Sequence, residues 1–282
     1  MTRTEAVMGT LVTIDVTAPE DALDRAFGWF HEVESCCSRF RASSELMQLH
    51  AGAPTAASPI LFEAVQFALR VAEESGGAFD PTVGHRMAAR GFNREHRTGE
   101  TVAPVMADDD VSYRDVELDA EARTIFLRRP LTLDLGGVAK GLAVDAAARE
   151  LEPFQNFAID AGGDLYLGGR NPQGEPWTVG IRHPRNDGEL MDRLQISNQA
   201  VCTSGDYERG EHILDPRTAA ASRATASATV VAPGAMLADA LATAAFVLGP
   251  EDGIAFLTRM GVEGLIVTPD LQRFETRGLC HA

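Results

Sequence analysis

Positive charge is scarce in this chain of 282 residues: 25 Lys and Arg stand against 41 Asp and Glu, a net charge of −16. Such a surface repels phosphate backbones, which argues against a nucleic-acid partner. A small phosphorylated ligand is not excluded, because one metal ion or a few basic residues can reverse the field locally. Cysteine is scarce too. Cys36, Cys37, Cys202 and Cys280 include no C-x-x-C pair, and the adjacent Cys36 and Cys37 would bridge only under strain, so a reduced compartment is expected. No run approaches the roughly 20 apolar residues of a membrane helix. The opening MTRTEAVMGTLVTIDV lacks the apolar core and small-residue cleavage site of a signal peptide, so a soluble, cytoplasmic protein is expected. There is no Walker A loop, no G-x-G-x-x-G and no repeat of 20–50 residues.

What is there is an ordinary globular composition, 45% hydrophobic and 23% charged, enough for one large domain or two closely packed lobes. Alternation predicts a strand at 10–16, and helical spacing predicts helices over 20–37 and 58–75, the second stopped by Gly76-Gly77. Residues 93–115 read as a polar loop crossed by Asp108-Asp109-Asp110, and 116–127 as a hairpin. A strand-like Leu131-Thr132-Leu133 hands over to a helix after Gly136-Gly137. Strands follow at 157–160, 164–169, in WTVGIRHP and in RLQISNQAVCTSGDY. Helices are expected at 233–249 and 251–261, and a last strand at 264–268. Helices and hairpins interleave without a βαβ rhythm, which favours α+β over a doubly wound sheet.

Four stretches carry candidate chemistry. In LDLGGVAKG, the glycines let backbone approach a ligand between Asp134 and Lys140, unless this is only a tight turn with a surface ion pair. In LADALATAAFVLG, Asp239 and Thr243 are i and i+4 on one helix face, oxygen donors that suit a hard cation such as Mg²⁺; an acidic residue near a helix N-terminus is the ordinary alternative. In SGDYERGEHILDPRT, His212 is a candidate base or phosphate ligand, or a structural histidine beside a turn. GGAFDPTVG presents Phe79, Asp80 and Thr82 from a turn whose chemistry explains most of the pattern.

These stretches occur in one order with MGT (8–10), SRF…SEL (38–46) and IDAGGD (159–164). Together they resemble the ApbE family, the FAD:protein FMN transferases, from Met8 to about Gly249. The resemblance implies an α+β, T-fold-related architecture of mixed, mainly antiparallel sheets with packed helices. It also implies one domain over 1–282, made of two closely packed lobes with the active site in the cleft between them. The activity implied is Mg²⁺-dependent transfer of the FMN half of FAD to a Thr or Ser hydroxyl, releasing AMP. The acceptor would be a protein with an FMN-binding domain, and the outcome its flavinylation.

Carried over by position, Met8, Phe40, Ala78, Phe79, Asp80, Asp134, Lys140 and Ser222 correspond to FAD-binding positions. Asp239, Thr243 and the Gly137 carbonyl correspond to metal ligands, and His212 to the residue that assists transfer. Three departures stand out. Phe40 replaces the frequent Tyr, so stacking is kept and a hydroxyl lost. Ala219-Ala220-Ala221-Ser222 replaces the usual Gly-x-Pro turn after DPRT, which bears on Ser222. Ala242 falls where some members have a further carboxylate. FAD hydrolysis to FMN and AMP, and FAD binding without catalysis, are the alternatives the residues leave open.

Overall fold

The computed structural model describes all residues except 95–98, 100, 103–106, 109 and 208–212. Asp109 of the acidic run and His212 therefore lie outside the described residues. The chain opens with the hairpin β1 (Thr2–Val7) and β2 (Thr10–Val16), followed by α1 (Glu20–Cys37). Next come β3 (Thr55–Ala56), α2 (Pro59–Glu74), α3 (Gly84–Ala89), β4 (Val116–Asp119) and β5 (Thr124–Leu127). Then α4 (Ala139–Leu151) precedes β6 (Phe157–Ala161), β7 (Asp164–Gly168), β8 (Trp177–Arg182), β9 (Leu190–Ile196) and β10 (Gln199–Gly205). The last elements are β11 (Ser227–Ala232), α5 (Ala235–Leu248), α6 (Pro250–Met260), β12 (Glu263–Val267) and β13 (Arg273–Glu275).

Eight strands form one antiparallel sheet in the order β1-β2-β6-β7-β10-β11-β12-β13. Three strands, β3-β5-β4, make a smaller sheet, and β8-β9 a separate hairpin. The α+β class is as expected. In β2, Val12, Ile14 and Val16 alternate inward, the half-buried pattern that made this strand readable. Ser58 caps α2 by accepting from Leu61 N–H at 3.2 Å, with Pro59 in the first turn.

Helices cover one face of the large sheet: α1 lies on α4, α4 on α5, and α5 on β10 and β11. The β8-β9 hairpin seals the other face through Val179, Ile181, Leu194 and Ile196 against Val201, Val231, Leu265 and Val267. Strand β11 is buried along its whole length. Both faces are covered, so the short alternation of Ser227 and Thr229 with Ala228 and Val230 marks no solvent face, and sequence reading missed the strand. The short β3, β13 and the edge strand β1 were missed as well.

One expectation is corrected. Residues 131–135 are not a sheet strand. Leu131, Leu133 and Leu135 are buried, as their alternation requires, but the backbone bonds to a turn. Gly84 N–H donates to the Thr132 carbonyl at 3.1 Å, and Asp134 N–H to the Pro81 carbonyl at 2.7 Å. The approach is so close that a Cβ on Gly84 would stand 2.5 Å from the Thr132 oxygen. The AFDPTVG and LDLGG blocks are thus a single bonded unit. Among the described residues, no helix is long and apolar enough to cross a membrane.

Candidate active site

The helix-covered side holds a cavity of about 560 Å³. Its walls come from the 78–83 turn, the 134–140 junction into α4, the β6-β7 turn, the end of β10, and α5. The last of these contributes Asp239 and Thr243. An Ala-rich α5 lets its neighbours approach closely. A Cβ on Gly141 of α4 would lie 2.5 Å from the Ala235 carbonyl and the Met236 backbone. Asp145, one turn along α4, accepts from Ala235 N–H at 2.6 Å and Met236 N–H at 3.0 Å, capping α5 from outside its own segment. This joint sets the two helices that carry Lys140, Asp239 and Thr243.

Gly137 sits between Phe79 and Thr243: a Cβ there would be 3.1 Å from the Phe79 ring and 3.3 Å from Thr243 Oγ1. Thr243 Oγ1 also lies 3.2 Å from Ser204 Oγ. Asp239, one turn before Thr243, is buried. The donors gathered here are all oxygen: one carboxylate, two hydroxyls and a glycine backbone with no side chain in the way. Among the described residues, no three His, Cys, Asp or Glu side chains form a ready cage. An oxygen-only, incomplete set fits a hard cation that takes its remaining ligands from water and a bound phosphate.

The charges pair differently from the Asp134–Lys140 contact that adjacency suggests. Asp134 Oδ2 accepts from Arg39 Nε at 2.6 Å, and its Oδ1 from Gly136 N–H at 2.8 Å. Lys140 pairs with the buried Asp164 at the β6-β7 turn. Burial opposes the Lys140 charge, but the carboxylates of Asp164 and Asp239 outweigh it and hold the ammonium above the ordinary lysine range. Cys202 is fully buried, and burial pushes its thiol well up. Asp80 is spent on structure: it accepts from Thr82 N–H at 2.9 Å, Thr82 Oγ1 at 2.7 Å and Tyr113 N–H at 3.0 Å. Burial nevertheless raises its pKa.

A second cavity of about 490 Å³ adjoins the first and is lined by Met8, Glu34 and Ser38, among others. Thr10, Arg39, Phe40, Asp134, Gly136 and Lys140 line both. Met8 has φ 53° at the β1-β2 turn. Of the residues expected to bind FAD or metal, Phe40, Ala78, Phe79, Asp80, Asp134, Gly137, Lys140, Asp239 and Thr243 line the first cavity, and Met8 the second.

Ser222 does not join them. Its hydroxyl donates to the Phe246 carbonyl at 3.2 Å, and it lines neither cavity. His212 cannot be placed among the described residues, although the neighbouring Ile213, Leu214 and Pro216 reach the first cavity. Arg39, Asp164 and Asp145 were not singled out from sequence, and Ser204 only as a hydrogen-bonding group of a loop. Arg39 and Asp164 lie inside the SRF and IDAGGD stretches, so the signal was an unassigned charge beside an assigned neighbour.

A cavity that brings a lysine together with a carboxylate and two hydroxyls behind an antiparallel sheet has the makings of a catalytic site, and comparison with known proteins gives a transferase. The chain belongs to the ApbE family, whose sequence profile matches residues 8–266. A protein of Treponema pallidum named FAD:protein FMN transferase is 32% identical over 306 residues, covering 95% of this chain and 84% of that one. The protein of that name from Haemophilus influenzae is 30% identical over 246 residues, with 79% and 71% covered. Among solved structures, the ApbE protein of Thermotoga maritima superposes with a TM-score of 0.87 at 27% identity, covering 98% of this chain and 97% of that one. The flavin transferase ApbE of Vibrio cholerae gives 0.85 at 26% identity with the same coverage.

Proposed function

We propose that this protein transfers the FMN half of FAD to a Thr or Ser hydroxyl of an acceptor protein that carries an FMN-binding domain, releasing AMP. The observation that carries this reading is the gathering of Lys140, Asp239, Thr243 and Gly137 on one cavity. The name shared by the relatives, FAD:protein FMN transferase, supports the same substrate and the same kind of acceptor.

In the proposed step, the acceptor oxygen forms a bond to the flavin-side phosphorus of the diphosphate. The bond from that phosphorus to the bridging oxygen breaks, and the bridging oxygen leaves with AMP. Asp239, Thr243 and the Gly137 carbonyl would hold Mg²⁺, which when bound neutralises charge on the diphosphate. Lys140, kept protonated by its two carboxylate neighbours, adds a fixed positive charge that needs no reorganisation during reaction. Asp134, held by Arg39 and the Gly136 N–H, orients bound FAD rather than moving a proton. Phe40 and Met8 are proposed to face the flavin, with Ala78 and Phe79 completing the wall. His212 is the proposed acceptor of the hydroxyl proton.

The test is to incubate the protein with FAD, Mg²⁺ and a candidate acceptor, then weigh the acceptor and assay AMP. An FMN-phosphoryl adduct with matching AMP is the expected result. AMP and free FMN without an adduct would mean hydrolysis, and retained FAD with neither product would mean storage. Either outcome overturns the proposal. For the base, His212→Ala is expected to slow transfer while FAD still binds.

A further inference from the structure

A buried arginine stands where the two cavities meet. Arg39 follows the end of α1 and is only 8% exposed, yet it lines both cavities. Its Nε donates to Asp134 Oδ2 at 2.6 Å, and its guanidinium carbon lies 4.1 Å from the centre of the Phe40 ring. A guanidinium has five N–H donors. Among the described residues, the other four make no hydrogen bond, although the side chain is more than nine-tenths buried. Its terminal nitrogens are not among the side-chain atoms closed off without a partner, so these unused donors open onto the cavities that Arg39 lines. The cavity side is where acceptors for them can come from.

The six shared lining residues include two cations, Arg39 and Lys140. Each already has a carboxylate partner, Asp134 and Asp164 respectively. Lys140 is a point charge, whereas the planar fork of Arg39 can meet two oxygens of one phosphate at once. Resting on the proposed function, a flavin dinucleotide whose flavin half lies by Met8 and whose adenosine half lies in the other cavity crosses this junction with its diphosphate. We infer that Arg39 is a further substrate-binding residue, whose unused N–H fork grips the diphosphate at the junction while its Nε keeps Asp134 in place. Phe40 supports the same group: its ring centre lies 4.1 Å from the guanidinium carbon, a cation–π contact that helps hold the fork in place.

The experiment compares FAD with riboflavin, which has the same ring and no phosphate, by flavin-fluorescence titration of the full chain, its Arg39→Met and its Arg39→Lys variants. Arg39→Met is expected to weaken FAD roughly tenfold to a hundredfold, the loss of charge-assisted hydrogen bonds, with riboflavin changed less than about threefold. Arg39→Lys restores the charge but not the fork, so it should recover only part of the FAD affinity. It also decides the matter if Arg39→Met does not fold. Salt supplies a second reading that does not need riboflavin to bind: FAD affinity of the parent falls with ionic strength, and the Met variant flattens that slope. Equal weakening of FAD and riboflavin, an unchanged salt slope, or full recovery by Lys would overturn the inference. If the parent itself fails to bind FAD, the proposed function falls instead.

Discussion

The two faces of the large sheet are built from different material. Toward the helices, β10 and β11 present Ala200, Cys202, Ala228, Val230 and Ala232, and the helix above them is an alanine-rich segment interrupted by Asp239 and Thr243. Toward the β8-β9 hairpin, the same strands present Val201 and Val231 against Leu194, Ile181 and Val179. Bulky aliphatics seal a face that carries no candidate site residue. Small residues on the other face let backbones approach, and close approach is what brings Lys140, Gly137 and Thr243 around one cavity. The lesson is that the site depends on the absence of side-chain volume as much as on the polar groups themselves.

That contrast can be broken at either face. The largest loss of transfer is expected from Asp239→Ala on the helical face: at least about a hundredfold in kcat, measured by adduct mass, with the fold intact by circular dichroism. Next is Gly141→Ala. Helix propensity alone favours alanine by about 1 kcal/mol, but the new Cβ meets backbone 2.5 Å away. The α4–α5 joint should open, costing about 1–3 kcal/mol of stability and about tenfold in transfer. A Gly141→Ala protein as active and stable as the parent would refute the joint. On the hairpin face, Leu194→Ala should destabilise by about 2–5 kcal/mol in denaturant unfolding, while the folded fraction keeps kcat within about twofold.

The smallest effect belongs to Asp192 on β9. Burial pushes its pKa up, but the Arg193 N–H, Arg273 and His281 outweigh this and hold it below the usual carboxylate range. Its stabilisation is therefore present above the unfolded pKa and is lost as pH falls through the lower folded one. Asp192→Asn should cost less than about 1 kcal/mol at neutral pH, a cost that shrinks to nothing in acid, and should leave transfer unchanged.

Much of the site was legible because its pieces are local. The i, i+4 relation of Asp239 and Thr243 needs only a helix, and Gly76-Gly77 and Gly249 are stops readable without a fold. The strand read at 131–133 failed for a particular reason. Leucine alternation reports burial of an extended segment, not the identity of its hydrogen-bond partner, which here is the 81–84 turn. Strand β11 failed the opposite way, since both of its faces are buried and its small polar residues, Ser227 and Thr229, do not mark a solvent side.

The chain by itself determined the five longer helices, the α+β class, the ApbE resemblance, and nine of the residues that line the first cavity. These follow from periodicity, turn residues and ordered short blocks, all of them short-range properties. The tertiary structure alone decided which charge meets which: Arg39 with Asp134 across 95 positions, Lys140 with Asp164 across 24, and Asp145 with the start of a helix about 90 residues away. It also decided that Ser222 turns to a backbone carbonyl instead of the cavity. The physical reason is that a charge or a hydroxyl has no periodicity to betray its partner. Only chain packing selects, among many acceptors of similar chemistry, the one within reach.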